Sequence, residues 1–239
     1  MSKRSTNLPS PEHRADSSTA ESRKLPLLIS IGDSGLLVKF GTSLSEVANH
    51  RAIRCAEALR NANLHGVVEV VPSLVSVLLC YDPWRTSLSV LQGEVRLLIS
   101  VMPDEHQPVR RRHTVAVAFG GDGGPDLQQV ASALGLRVQD FVNRHNSGLL
   151  RILATGFAPG FMYCGFHSQE LHLPRRTSLR ASVPAGSVLF ASGQTAIAAT
   201  EIPTGWHVIG TTSLRNFDAS ASPPTVLRAG DEVTFEEVH

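Results

Sequence analysis

Thr155-Gly-Phe-Ala-Pro-Gly-Phe161 opens a stretch that decides how the chain folds. It runs through Pro174-Arg-Arg176, Val183-Pro-Ala-Gly-Ser187 and Ser192-Gly-Gln-Thr195, and closes at Pro203-Thr-Gly-Trp206-His-Val-Ile-Gly210. Glycine or proline recurs every few residues between short apolar runs, the mark of short strands joined by tight turns. Gly156, Pro159 and Gly160 shape the first turn, since glycine permits positive φ and proline fixes φ. Phe157, Phe161 and Trp206 supply apolar walls; Arg175, Arg176 and Arg180 supply donors for an anion. Apolar walls with a few fixed polar groups suit a small-molecule pocket. The corners of a plain β-barrel need the same turns and aromatics, so this stretch by itself reads either way.

Downstream, Ser187 to Ala191, Ala196 to Ala199, Trp206 to Thr211 and Val233 to Val238 read as further strands. Upstream, Gly148 to Ala154 is the strand that enters the stretch, and His113 to Phe119 alternates apolar and polar like another strand. Gly120-Gly-Asp-Gly-Gly-Pro-Asp126 then feeds a helix, Leu127 to Leu134. No Gly-Lys-Ser/Thr follows, so this is no P-loop. Asp126 reads as that helix's cap, and the free N–H groups of the turn leave anion binding open. A second helix, Val138 to Arg144, leads to His145. Many short strands and few helices suggest a small barrel from 113 to 239.

Further upstream, Leu27 to Ile31 and Leu36 to Phe40 form a hairpin. Ser43-x-x-Glu46 is a capping box for a helix whose apolar face runs from Leu44 to Ala62, with Gly66 as its stop. Val67 to Val71 and Leu74 to Tyr81 are strands, and Thr86 caps a helix to about Ile99. Residues 25–100 thus read as a ββαββα, sandwich-like α+β domain, with 101–112 a linker. Met1 to Lys24 is polar and reads as a disordered tail.

The 239 residues carry a net charge of +1 and a mean hydropathy of zero, which gives no electrostatic case for nucleic acid or a membrane surface. No apolar run is long enough to span a bilayer. The three cysteines, Cys55, Cys80 and Cys164, are scattered, which suggests a reducing, cytoplasmic setting and neither a disulfide framework nor a zinc site. Cys164 reads as a small buried hydrophobe, with a nucleophile as the alternative.

His145 is the general-base candidate, its alternative a satisfied core residue. Arg175 and Arg176 are placed to hold a carboxylate or phosphate, or to flank a surface turn. Gln194 and Thr195 could bind an amide, or serve their turn. His167, His172 and His207 form no metal set. No catalytic set is complete in this chain, so an enzyme site here would have to be completed by another polypeptide.

The blocks Gly156-Phe-x-Pro-Gly-Phe161-x-Tyr163, Pro174-Arg-Arg176, Val183-Pro-Ala-Gly-Ser187-Val, Gly193-Gln-Thr195 and Pro203-x-Gly-Trp206-x-x-Ile-Gly210 resemble, in order, the KipI family, the PxpB-type subunits of 5-oxoprolinase, which are allophanate-hydrolase subunit 1-like. The resemblance covers about Leu27 to Val238. It implies a cyclophilin-like barrel and a non-autonomous subunit of an ATP-dependent 5-oxoprolinase, an amidohydrolase that opens 5-oxo-L-proline to L-glutamate. It implies ATP with magnesium, and partners of the KipA/PxpC type and the LamB/YcsF (PxpA) type. The site residues expected on this basis are His145, Arg175 and Arg176 for catalysis, and Gly156, Phe157, Pro159, Gly160, Phe161, Arg180, Gln194, Thr195 and Trp206 for substrate. KipI-like proteins can instead inhibit a histidine kinase, and a urea or allophanate carboxyltransferase-type subunit is a third reading. The sequence departs from the family pattern at Leu179, Ala198, Ala199, Thr204 and Thr211.

Overall fold

Alternating apolar residues build two β systems, described in a computed structural model that covers residues 25–102 and 111–238. The expected tail and most of the expected linker lie outside the described residues. The first system is a four-stranded antiparallel sheet of β1 (Leu27–Ile31), β2 (Gly35–Lys39), β3 (Val67–Pro72) and β4 (Ser76–Tyr81), in the order β1-β2-β4-β3. Leu36, Val38, Val77, Leu79 and Tyr81 all point to one face, because strand residues two apart share a side. Helices α1 (Glu46–Ala62) and α2 (Leu88–Val101) cover that face with Ala52, Cys55, Ala56, Leu59, Leu91 and Val95.

Helix ends differ in detail from the sequence reading. The hydroxyl of Ser45, not Ser43, accepts from the N–H of Ala48 and caps α1, and Ser87, not Thr86, caps α2. Helix α1 stops at Asn63, which takes the left-handed conformation at φ 46°, so Gly66 lies in the turn beyond. Asparagine tolerates that conformation better than most residues because its side chain satisfies nearby backbone.

The second system is a closed barrel. Its strands are β5 (Arg112–Phe119), β6 (Leu150–Thr155), β7 (Met162–Gly165), β9 (Ser187–Ala191), β10 (Gln194–Ile197), β12 (His207–Thr211) and β13 (Glu232–Glu237). They run β10-β7-β6-β13-β5-β12-β9 and close through the β9–β10 hairpin. Only β13 with β5 pairs in parallel within this barrel. A two-stranded ribbon of β8 (Arg180–Val183) and β11 (Ile202–Thr204) lies outside it. The fold is therefore α+β, a layered sheet followed by a β-barrel.

The lumen holds Val115, Val117, Ile152, Met162, Val188, Phe190, Ile209 and Phe235. Helices α3 (Leu127–Ala133) and α4 (Val138–Asn146) pack Val130, Phe141 and Val142 onto the same core. Asn49 joins the two systems: its Nδ2 donates to Leu74 O in the sheet layer and to Leu153 O on β6, both at 2.8 Å. Arg151 on β6 returns a bond to Asn49 Oδ1 at 3.3 Å.

Candidate functional site

Parity along the barrel strands sends alternate residues outward, and these form a separate apolar layer. Leu189 and Ala191 of β9, Ala196 of β10 and Val208 of β12 meet Phe161, Ala198, Trp206, Val183 and Ile202, the last two on the outer ribbon. A run of rings crosses this face. Centroids lie 5.5 Å apart for Phe157 and Phe161, 4.8 Å for Phe161 and Tyr163, and 6.0 Å for Tyr163 and Trp206. Arg175 ends the run, its guanidinium carbon 5.4 Å from the Trp206 ring centre. That distance is in range for a cation–π contact. Burial pushes the Tyr163 hydroxyl above its ordinary pKa, and the charge of Arg175 pulls the other way.

One ring of the run stands out. Phe157 is 71% exposed although Phe161 and Trp206 in the same run are buried, and its φ is 79°. A bulky residue in the left-handed region costs on the order of 1–3 kcal/mol and persists only where the surroundings impose it. The loop imposes it: Gly156 N–H donates to Phe161 O, and Asn216 Nδ2 donates to Gly160 O, both at 3.0 Å. Gly160 itself must be glycine, since a Cβ there would sit 2.6 Å from that of Phe217 at a φ of 70°. Pro159 is exposed on the same loop. Leu179, 81% exposed, lies against Gly205, beside Trp206.

Arg176 and Arg180 do not stand free. Their guanidinium groups donate to Oδ1 of Asp126 at 2.7 and 2.6 Å, and the N–H of Val208 donates to Oδ2 at 2.8 Å. Burial pushes this carboxyl up, but Val208 and the two arginines outweigh it and hold the pKa below the ordinary range. Asp126 therefore does not cap α3 with its side chain, which corrects the sequence reading. The glycine block before it packs on β12: Gly120 N–H donates to Ile209 O, and a Cβ on Gly124 would collide with that same oxygen. That close packing leaves no cradle for a phosphate.

His145 and Thr195 lie on the other side of the barrel wall, in the lumen. The His145 ring is wholly buried among Phe119, Phe141, Phe190 and Phe235. Its Nδ1 lies 2.7 Å from Asn146 Oδ1, and its Nε2 lies 2.7 Å from Thr195 Oγ1. A second imidazole shares that hydroxyl: His167 Nε2 is 2.8 Å from Thr195 Oγ1, and the two rings are 4.7 Å apart. Burial lowers the pKa of His145 to about 4. Burial, with the nearby His145, lowers that of His167 to about 2. Both rings are neutral at neutral pH. Cys164 is buried too, and burial pushes its thiol up to about 12, the behaviour of a core hydrophobe.

The expected site residues thus fall into three places. Gly156, Phe157, Pro159, Gly160, Phe161, Trp206 and Arg175 share the outer face. Arg176 and Arg180 are gathered on Asp126. His145 and Thr195 are inside, while Gln194 points the opposite way from Thr195, as adjacent strand residues do. His167 escaped the sequence reading because nothing local ties it to residues 145 and 195; only barrel closure does. A cleft of about 640 Å³ lies elsewhere, between α1 and the barrel loops, lined by Glu57, Arg60, Arg111, Thr155, Arg228 and Asp231 among others. The described residues hold no group of three metal-ligating side chains and no helix long and apolar enough to cross a membrane.

Known proteins resemble this chain in sequence and in fold. The family model for the carboxyltransferase domain, subdomain C and D, matches residues 26–227. The 5-oxoprolinase B-subunit of Bacillus subtilis (strain 168) is 32% identical over 218 residues, covering 87% of this chain and 91% of that protein. The 5-oxoprolinase B-subunit of Escherichia coli O157:H7 is 33% identical over 206 residues, covering 86% and 93%. Among solved structures, TTHA0988 superposes with a TM-score of 0.75 at 36% identity over 86% of this chain. The match spans only 40% of that longer chain.

Proposed function

The chain belongs to the carboxyltransferase-domain family, subdomains C and D, in its 5-oxoprolinase B-subunit branch, and on that footing we propose that it is one subunit of an ATP-dependent 5-oxoprolinase, with the reaction site completed by a partner. The reaction opens the lactam of 5-oxo-L-proline to L-glutamate. The observation that carries the shared-site reading is Phe157, a strained ring held out to solvent beside Phe161, Tyr163, Trp206 and Arg175. An exposed Phe157 backed by buried Phe161 and Trp206, with an exposed Arg175 at the far end, has the composition of a protein-binding centre, where aromatic and arginine anchors dominate. None of the concavities described encloses this run. Within TTHA0988 the matched part is joined to a longer remainder, which suits a KipA/PxpC-type partner. A LamB/YcsF-type subunit completes the assembly in this proposal.

The residues here do not fit a nucleotide–magnesium site. The Gly120 to Gly124 turn is packed on β12, Asp126 takes up Arg176 and Arg180, and no carboxylate cluster is present among the described residues. We therefore assign ATP to the partner side. This chain contributes positive charge: two guanidiniums on one carboxylate leave one charge over, and Arg175 adds another. Such charge stabilises a developing oxyanion when the site is closed from water.

The test is affinity capture of this chain from its native host, followed by mass spectrometry, for the wild type and for Phe157→Ala. A KipA/PxpC-type subunit captured by the wild type and lost in the variant is the expected result. A wild type that captures only a sensor kinase would overturn the reading in favour of kinase inhibition.

A further inference from the structure

Two imidazoles and a hydroxyl can share one chain of hydrogen bonds only in a fixed order. Asn146 Oδ1 is an acceptor, so the facing Nδ1 of His145 carries that ring's proton. Nε2 of His145 is then bare and accepts from the Thr195 hydroxyl. The Thr195 oxygen, having donated its hydrogen, accepts from Nε2–H of His167. This leaves Nδ1 of His167 without a proton. Among the described residues that atom has no hydrogen-bond partner, and it is not one of the buried unpartnered polar atoms, so it opens to solvent. The His167 backbone N–H is tied to Gly193 O at 3.0 Å, which holds this residue against the β9–β10 turn. Gln194, the first residue of β10, packs its side chain beside Gly165 on the outer side of the wall. His172 lies across the same turn, near Gly193.

A neutral, directed acceptor recognises a ligand that presents an N–H. We infer that His167 Nδ1 accepts the ring N–H of the cyclic-amide substrate, and that Thr195 and His145 are positioning residues that hold His167 in the Nε2–H tautomer. The inference rests on the 5-oxoprolinase reading and adds the residue that recognises the lactam. The sequence reading made His145 the general base; on this inference His145 never meets the substrate, and His167 does.

Long-range 1H–15N spectra of the isolated chain at pH 7 read the tautomers directly. The inference expects His145 protonated on Nδ1 and His167 on Nε2, with Thr195→Val scrambling the His167 signal and Thr195→Ser restoring it. In the copurified complex, Thr195→Val should raise KM for 5-oxo-L-proline about tenfold with kcat within threefold. His167→Asn should erase the discrimination between 5-oxo-L-proline and its N-methyl analogue, which in the wild type should exceed 100-fold in kcat/KM. A His167 proton on Nδ1, or a discrimination that survives His167→Asn, overturns the inference. A wild-type complex with no lactam hydrolysis would end the functional reading instead, and the tautomer pattern, read without substrate, would still decide the relay.

Discussion

Phe157, Asp126 and the paired histidines His145 and His167 show how single residues trade stability for arrangement. Phe157→Gly should leave the chain at least as stable, by up to about 1 kcal/mol from relieved strain, while partner capture is lost. Urea denaturation and pull-down of one protein sample measure both, and a stability loss with capture intact would mean the ring serves the fold. Asp126→Asn leaves two guanidiniums facing a neutral amide. Removing one partner of a buried pair costs about 3–5 kcal/mol, and the partial exposure of Arg176 and Arg180 reduces this to roughly 2–3. The urea midpoint should fall accordingly; an unchanged midpoint would show that the cluster is screened by solvent. The histidines set an acid limit. Unfolded, each titrates near 6.5, but burial holds them near 4 and 2 when folded, so the unfolded chain binds more protons as pH drops. Their contribution is complete above pH 6.5 and is lost as pH falls, toward 4 for His145 and on toward 2 for His167, by at most about 1.4 kcal/mol per pH unit per histidine. Melting temperature against pH should show this slope, and His167→Gln should flatten part of it. A flat profile from pH 7 to 4 would contradict the buried neutral pair.

At the scale of elements, what was legible was what repeats locally. The apolar face of α1 follows 3.6-residue spacing, and β1, β3 and β5 read as strands close to their observed bounds. Strand β7 and the ribbon strands β8 and β11 went unread, because three or four residues carry too little alternation to register. The site suffered most from this. Gln194 and Thr195 are neighbours in sequence but face opposite sides of the barrel wall, and a slip of one residue would exchange them. Nor does Asp126 signal locally that Arg176 and Arg180, some fifty positions on, will claim it. The same long reach governs the joint between the two systems. Asn49→Leu strands the carbonyls of Leu74 and Leu153, at about 1–3 kcal/mol. It should lower the melting temperature by several degrees, as read by calorimetry. An unchanged melting temperature would show that Asn49 does not hold the layers together.

The whole molecule is a wall rather than a container. Five blocks of residues named its family from sequence, since their order and spacing are specific even where Thr204, Ala198 and Ala199 depart from the pattern. What sequence could not convey is that Phe157 and Arg175 are exposed on the outer face, at the two ends of a run through buried Phe161 and Trp206, while His145 lies in the lumen. That division makes sense if a partner closes over the outer face. Most directly, the central claim is tested by ATP-dependent release of glutamate from 5-oxo-L-proline, measured for the purified chain alone and for the chain purified together with its captured partners. The account predicts no turnover by the chain alone and turnover by the assembly, abolished by Phe157→Ala. Turnover by the isolated chain at the rate of the assembly would contradict it.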